Sequence, residues 1–170
     1  GFRATTPDVS YRELTHEAAT KAYLDAGVDP KDIGAFVCTS EDFLEGYSIA
    51  DEYAPDQVGA VLKSCHTVPG DYIQSLANGV MIILSGYADV VAVQGMSKAS
   101  NMLTKGDLDT MATDPFTWRP LKESHHALAA MEMNRFLVET GNTREQCARV
   151  VVKNRQNALL NPRAAHGADL

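Results

Sequence analysis

The sequence is poor in cysteine and has no long apolar run. Its three cysteines, Cys38, Cys65 and Cys147, are widely separated and form no CxxC pair, which favours a reducing compartment over a disulfide scaffold. The longest apolar segment, VMIIL, is far shorter than the roughly 20 residues that a membrane span needs. The opening GFRATTPD lacks the charged and then apolar pattern of a secretory signal. We therefore predict a soluble, cytoplasmic protein that does not enter a membrane.

Positive charge is also scarce, since 15 basic residues stand against 22 acidic ones and give a net charge of -7. A duplex nucleic-acid binder would normally present a basic face, so this balance argues against nucleic acid as a partner. It leaves room for a small basic pocket that holds a phosphorylated cofactor. The length of 170 residues and the hydrophobic content of 45% fit one well-packed domain, or a domain with an appendage. No internal repeat or low-complexity segment interrupts the chain.

The first hundred residues alternate between helix and strand signals. Ser10 and Glu13 form an S-x-x-E capping box, and Gly27 provides a C-cap, which predicts a helix over 11–26. The following elements are predicted as strand 33–39, helix 49–53 closed by Ala54-Pro55, strand 58–67, helix 71–86 and strand 89–93. Two successive βαβ-like units predict an α/β fold with a largely parallel sheet, covered by helices and joined by right-handed crossovers.

The character of the chain changes after residue 100. Residues 101–124 are polar, carry two prolines and show no sustained period, which indicates a functional loop or a connection to an appendage. Two helices are predicted next. One covers 126–140 and ends at Gly141; the other opens with the capping box Thr143–Gln146 and stops at Asn161-Pro162. The buried candidates on the first of these helices are Ala130, Met131, Met133 and Leu137.

The chain is organised around the stretch from Val58 to Ser100, which reads as strand, tight turn, buried helix and strand. A helix entered by a sharp turn aims its first-turn amides at one spot, which suits an anion or a nucleophile. Cys65 and His66 lie just upstream of that turn. A helix N-terminus can lower the pKa of a thiol and so activate Cys65, but a strand cysteine also packs well as a small hydrophobe. Adjacent strand residues point to opposite faces, so the two side chains are not expected to pair.

Three strings resemble the thiolase superfamily, and together they cover nearly the whole chain. YADVVAVQGMSKAS resembles the strand after the thiolase nucleophile helix, where the family shows ADVV-x-x-G-G-x-E-S-M-S. TREQCARVVVKNRQNALLNPRA resembles the thiolase loop domain, in particular that of the sterol-carrier-protein-type and archaeal branch. SYRELTHEAATKAYLDAGVDPKDIGAFVCTS is similar to the first helix and second strand of the superfamily. The resemblance implies a layered α/β/α half with a mixed, mostly parallel sheet over 1–100, lacking the first strand, and a helical loop domain over 101–170.

The resemblance implies an acyl-CoA C-acyltransferase that performs Claisen condensation or thiolysis of a β-ketoacyl-CoA, with coenzyme A as substrate and no covalently bound cofactor. The family's C-terminal half, with its GHP histidine and second cysteine, has no counterpart here, so we expect this chain to form part of the enzyme. An ungapped alignment places Pro69 at the family's nucleophile, and Cys65 lies four residues earlier. Two alternatives stay open. Either Cys65 is the nucleophile, or Asp71 or Tyr72 supports non-covalent retro-aldol chemistry on an acyl-CoA. A non-catalytic acyl-CoA-binding scaffold is the third hypothesis.

Further substrate-binding and CoA-binding candidates follow from the resemblance and from local chemistry, each with a structural alternative such as a cap, a loop anchor or a solvated face. Arg119 and the basic cluster of Lys153 and Arg155 are suited to phosphate groups. Metal binding is not expected, since His125 and His126 lack a suitably spaced third ligand. The resemblance also implies a homodimer and allows a small accessory subunit of OB-fold or zinc-ribbon type. The full set of binding candidates is Gly70, Gly95, Ser97, His126, Trp118, Arg119, Lys153 and Arg155.

Overall fold

The computed structural model describes residues 6–102, 105–162 and 164–169. The chain divides into two compact units, one of residues 8–105 and one built mainly from residues 106–170. The first unit contains the sheet, and the second is helical. None of the helices in the described ranges combines the length and apolar character that crossing a membrane requires.

The sheet of the first unit has three parallel strands in the described part of the chain. They are β1 (Ala35–Thr39), β2 (Ser64–Val68) and β3 (Val91–Gly95), in the order β2-β1-β3. Thr39 lies opposite Val68 on one side and Gly95 on the other, so all three strands end at the same edge of the sheet. The predicted parallel α/β architecture is confirmed.

Side-chain alternation along β1 separates the two faces of the sheet. Phe36 packs into a core with Ile33, Val58 and Ala60, and Cys38 packs against Ala50 and Ala54. This face is covered by α1 (Tyr11–Ala26), α2 (Ala50–Tyr53) and α3 (Pro55–Val58).

The opposite face of the sheet carries α4 (Tyr72–Leu84). A Cβ built on Gly79 of this helix would stand 2.8 Å from Cγ2 of Val93, which is closer than real contacts allow. The absence of a side chain at Gly79 therefore lets α4 lie directly on β3.

The helix ends follow the predicted caps closely. Ser10 Oγ accepts a hydrogen bond from the Glu13 amide at 3.2 Å, while the Glu13 carboxylate accepts one from the Ser10 amide at 2.8 Å. Gly27 closes α1 with a φ of 65°, in the left-handed region that glycine adopts without strain. The second predicted capping box opens α7 (Arg144–Ala158), and Gly141 ends α6 (His125–Thr140).

Several sequence predictions were wrong in the bounds or the type of an element. The predicted strand 58–67 begins only at Ser64, because α3 ends at Gly59 in a left-handed conformation and Leu62 also has a positive φ of 61°. The predicted strand 89–93 begins two residues late, at Val91. The polar run after residue 100 contains a short helix, α5 (Lys105–Met111), and a 3-10 turn at Arg119–Leu121.

The predicted burial of two helices was also wrong for this chain. On α4 only Ser75 and Gly79 are buried among the described residues. Of the four expected core residues of α6, Ala130, Met131 and Met133 are exposed and Leu137 is half-buried. Apolar periodicity marks the face of a helix that prefers to be covered, but it carries no information about what covers it.

Candidate functional site

The turn between β2 and α4 presents a helix N-terminus at the carboxyl edge of the sheet. Pro69 and Gly70 follow β2 directly, and Gly70 has a φ of 124°, which disfavours any residue with a side chain. Asp71 is the N-cap, and its Oδ1 accepts a hydrogen bond from the Gln74 amide at 3.0 Å. The amides of Tyr72 and Ile73 belong to the first turn, where helix geometry supplies no acceptor. These two amides and the helix dipole favour a negatively charged or strongly polarised oxygen.

Tyr72 joins this turn to the end of β3. Its hydroxyl donates to the Val93 carbonyl at 3.2 Å, and the residue is 49% exposed. The ring lies beside Gly95, because a Cβ built on Gly95 would stand 3.4 Å from Cδ2 of Tyr72. We call Thr39, Gly70, Asp71, Tyr72 and Gly95 the turn site.

Thr39 is the member of the turn site that the sequence reasoning did not single out. It ends the central strand, and its Cβ lies 3.7 Å from the position that a Cβ on Gly95 would take. Its hydroxyl is buried and has no hydrogen-bond partner among the described residues. The residue appeared as the last member of an apolar strand, and its place at a carboxyl strand end was the signal available, since sites gather there in open α/β sheets.

Cys65 lies on the other face of the sheet from α4. Its Sγ is 3.5 Å from Sγ of Cys38, and Gln94 Nε2 donates to Cys38 Sγ at 3.0 Å. The hydrogen bond to Cys38, followed by burial, raises the pKa of the Cys65 thiol well above its usual range. The bond from Cys65, together with that from Gln94, lowers the pKa of Cys38. The structure therefore brings Asp71, Tyr72, Gly70 and Gly95 together, and it does not bring Cys65 to them.

Ser97 lies two residues beyond β3 and is exposed. Two basic candidates of residues 106–170, Arg119 and Arg155, have local partners in the second unit. Arg119 donates to the carbonyls of Met111 and Thr113 at 2.7 and 3.1 Å, so its guanidinium holds the preceding loop. Arg155 donates to the His166 carbonyl at 2.8 Å.

The remaining candidates of this unit are His126, Trp118 and Lys153. The His126 ring lies 3.9 Å from that of His125, whose Nδ1 is 3.4 Å from an Asp109 carboxylate oxygen. The Trp118 indole nitrogen is buried without a hydrogen-bond partner among the described residues, whereas Lys153 is exposed. Within the described ranges, no cluster of three or more His, Cys, Asp or Glu residues is arranged to hold a metal ion.

An apolar groove of about 690 Å³ runs between α6 and α7 in the second unit. Met133, Phe136, Cys147 and Val151 contribute to its walls, with Arg144 as a charged residue of the lining.

Two curated archaeal proteins are similar to this chain over most of its length, although no family model matches it. The acetyl-CoA acetyltransferase of Methanothermobacter thermautotrophicus is 30% identical over 165 residues, which are 92% of this chain and 42% of that protein. The acetyl-CoA acetyltransferase of Methanocaldococcus jannaschii is 27% identical over 161 residues, which are 89% of this chain and 40% of that protein. The chain thus spans about two fifths of the length of these relatives. This chain therefore has a thiolase-like relationship to these two acetyl-CoA acetyltransferases, and the relationship covers only part of each of them.

Proposed function

We propose that this chain is part of a thiolase-like acyl-CoA C-acyltransferase and that the acyl thioester binds at the turn site. The reaction would be Claisen condensation of two acyl-CoA molecules or thiolysis of a β-ketoacyl-CoA. The observation that carries the proposal is the N-terminus of α4 at the common carboxyl edge of three parallel strands, in a chain related to acetyl-CoA acetyltransferases. The amides of Tyr72 and Ile73, in the first turn of α4, are suited to the oxyanion that forms when a thioester carbonyl is attacked.

In the covalent form of this proposal, the Cys65 thiolate attacks the thioester carbonyl. A new carbon–sulfur bond forms, the bond to the CoA sulfur breaks, and the CoA thiolate leaves and takes up a proton. Cys65 would have to reach the turn site from the other face of the sheet for this step. By resemblance, the general acid and base come from the part of the enzyme outside this chain, so the chain alone is expected to be catalytically incomplete.

A second candidate function is favoured by the position of Cys65 itself. If no thiol serves the turn site, Asp71 or Tyr72 remains to assist non-covalent carbon–carbon cleavage of an acyl-CoA, such as a retro-aldol reaction. Tyr72 is half-exposed and its hydroxyl donates to the Val93 carbonyl, and the Asp71 residue is exposed while one carboxylate oxygen caps α4. The third hypothesis, a scaffold that holds acyl-CoA without turnover, keeps the same site and omits the chemistry.

The remaining proposals concern CoA contacts and assembly. Residues 101–170 would act as the loop domain, with Lys153, Arg155, His126, Trp118 and Arg119 near the nucleotide part of CoA. By resemblance to thiolases, we also propose that the protein forms a homodimer and binds a small accessory subunit of OB-fold or zinc-ribbon type.

An acylation experiment on the complete protein separates the first two functions. The protein is incubated with isotope-labelled acetyl-CoA, digested, and its thiols are mapped by mass spectrometry. The covalent mechanism predicts label on Cys65, loss of label and activity in Cys65→Ser, and unchanged labelling in the matched variant Cys147→Ser. Activity without label, retained in Cys65→Ser and lost in Asp71→Asn or Tyr72→Phe, would instead establish the non-covalent function. Turnover absent despite calorimetric binding of acetyl-CoA would leave the scaffold, and absence of binding would refute all three.

A further inference from the structure

The two long helices of the second unit face each other across an open apolar groove. Each helix lines it with residues spaced as on one helix face, namely Ala130, Met133 and Leu137 of α6 and Cys147 and Val151 of α7. Two such faces normally pack together with their axes about 8–10 Å apart. The backbones of α6 and α7 instead stand apart along most of their length. The groove that separates them, of about 690 Å³, is within the usual size range of ligand pockets.

The described residues leave the walls of this groove half-exposed. Met133 and Phe136 of α6, with Val150 and Val151 of α7, each keep about half of their surface exposed, although they line a space between two helices. Protein interiors are close-packed, and apolar side chains around an open space lose both packing contacts and the free energy of burial. The groove therefore favours an apolar occupant.

The connection between the two helices limits how thick that occupant can be. Residues 141–143 alone separate the end of α6 from the start of α7, and Gly141 turns the chain with a φ of 70°. Even when fully extended, the chain from Thr140 to Arg144 spans only about 14 Å. A helix placed between two others would hold their axes roughly 16–20 Å apart, which is twice the usual packing distance. The end of the groove beside this connection is therefore too narrow for a helix, and it suits a single extended alkyl chain.

Arg144 places a positive charge at this narrow end of the groove. It is the first residue of α7 and the charged member of the lining, and its guanidinium makes no hydrogen bond or ion pair within the described ranges. A guanidinium can bind a carboxylate through two parallel hydrogen bonds. From Leu137 back to Ala130 the lining runs about 10 Å along α6, roughly the length of an extended eight-carbon chain. The groove thus combines an anion-binding end with an apolar slot of medium-chain length.

We propose that this groove binds a medium-chain fatty acid, whose carboxylate pairs with Arg144 and whose alkyl chain lies between α6 and α7. The groove belongs wholly to the second unit. It shares no residue with the turn site or with the proposed CoA contacts. The inference therefore does not depend on the proposed function, and either can fail while the other stands.

The test compares octanoate with octan-1-ol, two ligands of the same chain length of which octanoate alone is charged. Binding of each to the complete protein is measured by calorimetry. We expect Arg144→Gln to weaken octanoate by about tenfold or more, through loss of a charge-assisted hydrogen bond, and to leave octan-1-ol unchanged. The matched control is Arg149→Gln, which removes an exposed positive charge of α7 outside the groove lining and should change neither affinity.

Alkylation of Cys147 locates the bound ligand, because this thiol lines the groove. Octanoate at a saturating concentration should slow the reaction of Cys147 with iodoacetamide severalfold in the wild type. The same concentration should protect Cys147 less in Arg144→Gln. An unchanged reaction rate of Cys147 under saturating octanoate would place the fatty acid elsewhere and overturn the proposal.

The calorimetric outcomes decide whether Arg144 holds the carboxylate. An octanoate affinity that Arg144→Gln does not change, or an equal loss for both ligands, would overturn the proposal. A wild type that binds neither ligand would also overturn it. An unreactive Cys147 in that protein would then show that another part of the complete protein, such as a helix laid across the rim, covers the groove.

A second pair of variants keeps the test decisive if Arg144→Gln does not fold. Ala148→Phe fills the groove from α7, and Ala129→Phe, at an exposed alanine of α6 outside the lining, is its control. Loss of octanoate binding in Ala148→Phe alone supports the proposal, and retained binding refutes it.

Discussion

At the scale of single residues, the thiol pair of Cys38 and Cys65 gives a measurable consequence. The hydrogen bond to Cys38 and burial both raise the pKa of Cys65, so little thiolate is present there near neutral pH. We predict slow alkylation of Cys65 by iodoacetamide in the native complete protein, and faster alkylation in Cys38→Ala, where the first of these causes is removed. Peptide mapping after timed quenching measures both rates.

The matched control for this experiment is Cys147→Ala, which removes a thiol of the second unit and should leave the rate at Cys65 unchanged. Rapid alkylation of Cys65 in the unsubstituted protein would contradict the prediction. It would also favour the covalent mechanism, because an activated nucleophile has to exist as a thiolate.

At the scale of elements, capping chemistry separates two otherwise similar helices of the second unit. Thr143 caps α7: its Oγ1 accepts a hydrogen bond from the Gln146 amide, and the Thr143 amide donates to Gln146 Oε1 at 2.7 Å. Ser124 stands at the same position before α6 but makes no side-chain capping bond. Thr143→Ala should therefore destabilise its helix by about 1 kcal/mol, whereas Ser124→Ala should change stability by a few tenths at most.

Amide hydrogen exchange in the first turn of each helix provides the measurement for these two variants. Faster exchange at the start of α7 in Thr143→Ala, with α6 unaffected by Ser124→Ala, is the expected pattern. Equal effects of the two substitutions would mean that the capping box does not distinguish the helices in solution.

The same elements show how far the sequence alone could lead. The bounds of α1 and α7 were predictable because their caps are local hydrogen-bonding patterns between residues three apart. The start of β2 was not, since Leu62 adopts a positive φ that nothing in its own identity favours. The order of elements predicts a candidate site at the turn before α4, but which face of the sheet carries Cys65 depends on where the helices pack. The unpartnered hydroxyl of Thr39 is likewise a property of the folded chain.

At the scale of the whole molecule, α4 presents an apolar stripe that the described residues of its own unit leave exposed. Ile73, Leu76, Val80 and Leu84 follow one another at helical spacing and are 75%, 47%, 49% and 80% exposed. A continuous apolar face of this kind marks an interaction surface rather than a scatter of single exposed residues. Under the proposed function this chain is part of a larger protein, and we then expect the rest of that protein to cover this face.

Leu84 and Leu24 provide a matched test of this expectation, because their exposures in the chain are nearly equal at 80% and 78%. Leu84 belongs to the stripe, whereas Leu24 stands near the end of α1, a helix in which Thr15 alone is buried among the described residues. In the complete protein, Leu84→Glu should cost about 2 kcal/mol or more, since it would bury an unpaired carboxylate, and Leu24→Glu should be close to neutral. Chemical denaturation measures both. If the two variants were equally stable, α4 would face solvent in the assembled protein, and the idea that this chain folds as one part of a larger enzyme would lose its structural support.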